Sequence, residues 1–130
     1  MDPVTVAILA LLVTINNARN SRIDEESKHA TDALMAIEDA TEKTLKYEAV
    51  KEATGQRTKK LEIEVATAWK KVSGLVYGYS PELARRIEDK GSYWYEPERW
   101  TQKEIEDAGI GLERIREETS RLLKPRIRRR

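Results

Sequence analysis

The sequence predicts an all-α helical bundle with a long N-terminal helix, apolar at its start, and a basic C-terminal tail. Three observations predict it. Neither Gly nor Pro interrupts Val4 to Thr54, so no strong helix breaker stands in that stretch. Apolar residues recur at helical spacing through the segments that follow. Helix-start signatures stand at Ser80-Pro81 and at Thr101.

Each element follows in order. Asp2-Pro3 opens the first helix, because the carboxylate accepts from the free N–H groups of the first turn and Pro at the first helical position loses no hydrogen bond. Residues 3–73 as one rod would span about 100 Å at 1.5 Å per residue. A hairpin breaking near Gly55-Gln56 is favoured, because the apolar register changes there. Before the break the inward candidates are Ile23, Ala30, Ala33, Leu34, Ile37, Ala40, Thr41, Thr44 and Leu45. Small residues dominate this stripe, so it admits close helix approach but contributes little apolar area per residue. After the break, Leu61, Val65, Ala68, Trp69, Val72 and Val76 form the best core-forming face in the chain.

Gly74, Gly78 and Ser80-Pro81 mark a loop holding Tyr77 and Tyr79, followed by a short helix to Lys90 that stops at Gly91. Ser92 to Trp100 holds four of the eight aromatic residues and reads as a loop that caps the bundle. Thr101 and Glu104 have capping-box spacing. Behind them Ile105, Ala108, Leu112, Ile115, Thr119 and Leu122 make a heptad-like seam that ends before Pro125. The expected core is Leu61, Val65, Trp69, Val72, Ile105, Leu112, Ile115 and Leu122.

At 130 residues the chain is one domain. With no Cys, disulfides, thiolate metal sites and cysteine nucleophiles are excluded, and the one His, His29, leaves little for imidazole catalysis. The near-neutral total hides a basic end. Lys124 to Arg130 hold five cations and no acid, while residues 1–123 hold 19 basic and 23 acidic side chains. Three parts follow: an apolar helix at 1–18, a helical body at 19–123 and a basic tail at 124–130.

The segment 3–18 has no charged side chain. Its 16 residues cover about 24 Å, short of the roughly 30 Å hydrocarbon core of a bilayer. A cleaved secretory signal is not expected, since Asp2 stands where a basic leader would and no small-residue cleavage site follows. The apolar residues run all round the helix, so it must be surrounded by protein or by lipid. The favoured surroundings are other copies of the chain, with Val4, Val6, Ile8, Leu9, Leu11, Leu12, Val13 and Ile15 as assembly residues. The arm then reads as separable, leaving a folded body when residues 1–18 are removed.

In the tail, Lys124, Arg126, Arg128, Arg129 and Arg130 form a cationic run suited to phosphate or another anionic surface, through salt-dependent and sequence-indifferent contacts. A solvated end paired with the acidic body is the plainer alternative. Glu26-Ser27-Lys28-His29 has the Glu-x-x-His spacing of carboxylate metal sites. No second such motif exists, so His29 is expected at the surface with no metal or cofactor.

The reading is therefore a non-enzymatic structural subunit that self-associates, in a virion or filament or otherwise inside a cell, with nucleic acid as the tail's partner and no small-molecule substrate. A small membrane-associated protein anchored by residues 3–18 is the first alternative. The second is DNA binding by residues 101–118, where Gln102, Ile105, Gly109, Ile110 and Ile115 resemble the helix-turn-helix pattern. That resemblance covers about twenty residues and departs from the pattern by a shortened interval between Ile105 and Gly109 and by Glu106 at a usually small position. Glu113, Glu117 and Glu118 would also meet phosphate with like charge.

Overall fold

The computed structural model describes residues 3–92 and 101–123. They form five helices: α1 (Pro3–Arg19), α2 (Asp24–Thr54), α3 (Lys59–Val76), α4 (Pro81–Ser92) and α5 (Gln102–Leu123). No strand occurs among the described residues. The aromatic segment 93–100 and the tail 124–130 lie outside them.

The expected long N-terminal helix is in fact two helices, broken at 20–23. No Gly or Pro causes the break. The turn tightens as Asn20 N–H donates to Asn17 O at 3.2 Å and Ser21 N–H to Ala18 O at 3.0 Å. Ser21 Oγ then accepts from Ile23 N–H at 3.1 Å and donates to Glu26 Oε2 at 2.9 Å, while Ser27 Oγ donates to Arg19 O at 2.6 Å. Local side-chain bonds of this kind offer the backbone an alternative to the helix ladder. Asp24, Glu25 and Glu26 in the first turn of α2 complement its positive end. Ile23, expected to face inward, sits in extended backbone ahead of α2 and is 56% exposed.

The hairpin break falls at Gly55, whose φ of 69° lies in the left-handed region and whose N–H donates to Lys51 O at 2.8 Å. Gly carries no Cβ penalty there. α3 then packs along α2, burying Val65, Trp69, Val72 and Val76. The Trp69 indole N–H donates to Thr44 Oγ1 at 2.8 Å, and that hydroxyl donates to Ala40 O at 2.7 Å. Gly74, expected in the following loop, is instead inside α3. Ser80 accepts from Leu83 N–H at 3.2 Å at the start of α4, and Ser73 Oγ donates to Ala84 O at 2.9 Å to tie α4 to α3.

α2 packs on α1, α3 and α5, α4 fills the space between α3 and α1, and α5 closes the ring between α2 and α1. α1 contributes a stripe of Thr5, Ile8, Leu12 and Ile15, all buried, with Leu11 beside it. What surrounds Ile8, Leu11, Leu12 and Ile15 is thus the chain's own bundle, whereas the expected surroundings were other copies. The last turns of α5 are also tied to α1 and α2, since Arg19 Nη1 donates to Leu122 O at 2.7 Å and Ser120 Oγ to Glu38 Oε2 at 2.9 Å.

α5 is helical straight through Gly109 to Gly111, which removes the turn that a helix-turn-helix at 101–118 requires. Gly111 serves packing instead. A Cβ built there would lie 2.8 Å from Thr5 Cβ and closer still to its Oγ1, so α1 and α5 touch backbone to side chain at this point. Gly111→Ala gains about 1 kcal/mol of helix propensity. Overpacking against the fully buried Thr5 costs roughly 1–3 kcal/mol, so we expect net destabilisation in urea titration. Gly74, with nothing within 4 Å of an added Cβ, is the control, and Gly74→Ala should stabilise by about 1 kcal/mol.

Candidate functional site

Of the expected core residues, Val65, Trp69, Val72, Leu112 and Ile115 are buried, and Leu61 and Leu122 are partly buried against them. The Ile105 side chain lies outside the description. The expected assembly residues divide into two sets. Ile8, Leu11, Leu12 and Ile15 are used inside the bundle, and Leu9 is partly buried against it. Val6 and Val13 remain 52% and 63% exposed. The Val4 side chain is outside the description, as are Lys124, Arg126, Arg128, Arg129 and Arg130.

The outer face of α1 is therefore an uncharged strip with Val6, Ala10 and Val13 at i, i+4 and i+7, so all three lie on one side of the helix. Between this strip and α4 runs a shallow groove of about 340 Å³ whose walls include Ala7, Ala10, Leu11, Thr14, Leu83 and Arg86. Small side chains on α1 leave the groove open. Among the described residues no helix is long and apolar enough to cross a membrane.

Elsewhere a cleft of about 420 Å³ is lined by Ala18, Glu25, Glu26, His29, Gly78 and Tyr79. His29 is at the surface. Its Nε2–H donates to Leu75 O at 3.0 Å, and its ring lies 5.6 Å from that of Tyr79. Burial, and secondarily the Glu26 charge, pushes the Tyr79 hydroxyl up from its ordinary pKa. No group of three or more His, Asp or Glu side chains able to hold a metal occurs among the described residues.

The strongest buried polar cluster joins α2 to α3. Glu62, only 4% exposed, accepts from Tyr47 Oη at 2.7 Å and from Arg57 Nε and Nη2, each at 2.9 Å. The Arg57 fork holds the Glu62 carboxyl below its ordinary value, against the opposing effect of burial. Burial pushes the Tyr47 hydroxyl up, and its bond to Glu62 adds to this. Nearby in sequence, Glu48 has a buried Oε1 with no hydrogen-bond partner, and burial raises its pKa. Sequence reading missed this cluster. The only signal was a Tyr, an Arg and a Glu flanking the Gly55 turn.

These opposite shifts predict two separate pH limbs. Glu48, raised, stabilises the fold below its unfolded value of 4.5, and this contribution is lost as pH rises through its folded value. Glu62, lowered, stabilises above 4.5, and its contribution is lost as pH falls through its folded value. Urea midpoints measured between pH 3 and pH 7, about the span of ordinary carboxylate titration, should separate them. Glu48→Gln should raise the midpoint at the neutral end only, and Glu62→Gln should flatten the acid limb. Unchanged profiles in both variants would mean that neither carboxylate is linked to folding.

No family model, curated protein or solved structure matches this chain. Among the described residues, fold and surface define an all-α bundle of five helices in which the outer face of α1 carries no charge.

Proposed function

We propose that this chain is a non-enzymatic structural subunit that associates with further copies of itself through the outer face of α1. The observation that supports this is the pair Val6 and Val13, exposed on a helix whose residues 4–18 carry no charge. Single exposed apolar residues are ordinary, but two on one uncharged stripe are a patch that loses little by leaving water. In the same reading the tail, through Lys124, Arg126, Arg128, Arg129 and Arg130, neutralises phosphate on nucleic acid held by a virion or filament.

Sedimentation velocity of the full chain tests the proposal. The expected result is a mass that rises with concentration and returns to the monomer in Val6→Lys and Val13→Lys. Both positions face solvent, so circular dichroism should show an intact bundle. A wild-type chain that stays monomeric to about 1 mM, where association would be worth only about 4 kcal/mol, would overturn it. So would association only with lipid vesicles.

A further inference from the structure

We propose that the cleft between the start of α2 and Tyr79 is a docking site for the chain's own tail, and that it seats a guanidinium from residues 126–130. The inference does not rest on association through α1. Three observations carry it.

The first is the chemistry of the cleft, whose lining brings Glu25 and Glu26 together with the rings of His29 and Tyr79. Ser21 Oγ donates to Glu26 Oε2, and among the described residues neither glutamate is ion-paired. The Glu26 charge also helps to push up the Tyr79 hydroxyl, so carboxylate and ring share one space. With Asp24 beside them, the two glutamates outweigh the roughly half positive charge of the helix end. Carboxylates next to an aromatic ring suit a guanidinium, which offers its edge to oxygens and its face to the ring.

The second observation is where the tail begins. Arg19 Nη1 donates to Leu122 O at 2.7 Å, and Arg19 follows Ala18, which lines the cleft. The last turn of α5 is therefore one arginine side chain away from the cleft wall. Extended, Lys124 to Arg128 spans up to about 17 Å, enough to carry an arginine across. So short a tether holds its cations at an effective concentration of about millimolar, which fills even a modest site.

Thirdly, the tail is matched to this site by position as well as charge. The other long stretch outside the described residues, 93–100, leaves α4 about 18 Å beyond Pro81 and enters α5 about 33 Å before Leu123. The tail starts at the near end, with five cations and no acid. An arginine seated in the cleft is withheld from phosphate, so nucleic acid would have to compete for it.

The native chain has no Cys, so a cysteine pair reports tail position without background. Ile127→Cys keeps all five cations, and Gly78→Cys is tolerated because nothing lies within 4 Å of an added Cβ. The reference pair is Ile127→Cys with Asn20→Cys, an exposed position next to Arg19 that reports reach alone. Both full-length variants are oxidised gently in dilute solution at about 0.01 M salt, and the internal disulfide is timed by non-reducing gel. Exposed ion pairs are each worth up to about fivefold, so the Gly78 pair should close at least about fivefold faster than the Asn20 pair. That advantage should vanish at about 1 M salt, where screening acts within about 3 Å. It should vanish equally with Glu25→Gln and Glu26→Gln, which keep an acceptor for Ser21 Oγ, while the salt arm leaves both glutamates in place. If the Asn20 pair closes as fast, or the advantage survives salt and both substitutions, the carboxylates do not seat the tail and the proposal is wrong. Disulfides formed only between copies would overturn it too, since the cleft would then hold another copy's tail.

Discussion

Deleting residues 1–18 is expected to abolish cooperative folding of the remaining chain. α1 places Ile8, Leu11, Leu12 and Ile15 in the core at 8% exposure or less. Burying a side chain of this kind contributes about 1.5–3 kcal/mol, so their loss removes roughly 6–12 kcal/mol. A domain's whole stability is about 5–15 kcal/mol. The truncation also strips Thr5 from Gly111 and leaves the inner faces of α2, α4 and α5 open to water. Circular dichroism should show a large loss of helix and a urea titration without a sigmoid. A truncated chain that keeps a cooperative transition would mean that α1 is a dispensable arm after all. Val13→Lys separates the two roles of the helix, since it alters the outer face and leaves the inner one whole.

Trp69→Ala is expected to destabilise the fold by about 3–5 kcal/mol, the usual range for emptying a buried aromatic site. Trp69 is 2% exposed and sits where α3 faces the small residues of α2, so the neighbours have little bulk with which to refill the space. The substitution also removes the indole donor to Thr44, though Thr44 keeps its own bond to Ala40 O. Trp69→Phe should recover most of the packing and leave the lost hydrogen bond, worth about 0.5–1.5 kcal/mol. Urea unfolding measures both, and a loss below about 1 kcal/mol for the Ala variant would place Trp69 outside the working core.

Much of the architecture was legible because it rests on periodicity and backbone chemistry. Helix class, the turn at Gly55, the start at Ser80-Pro81 and the seam through Leu112 and Ile115 follow from residues whose preferences are local. The break at 20–23 is also local in cause, but it comes from a tightened backbone turn and from the Ser21 and Ser27 hydroxyls bonding back to the chain. Those residues tolerate helices, so their presence does not announce a turn.

What the sequence by itself determined is that residues 3–18 carry no charge and are rich in apolar side chains. Only the tertiary structure decided that the bundle's own helices cover Thr5, Ile8, Leu12 and Ile15, leaving Val6 and Val13 to water. The physical reason is that hydrophobic burial has no direction and names no partner, so an apolar helix reads the same before lipid, a second copy or its own chain. The same holds for Glu62: a glutamate reads as solvated until the fold brings Arg57 and Tyr47 against it and removes the water. Gly111 likewise reads as a helix defect in sequence and becomes a point of close approach once α1 crosses it.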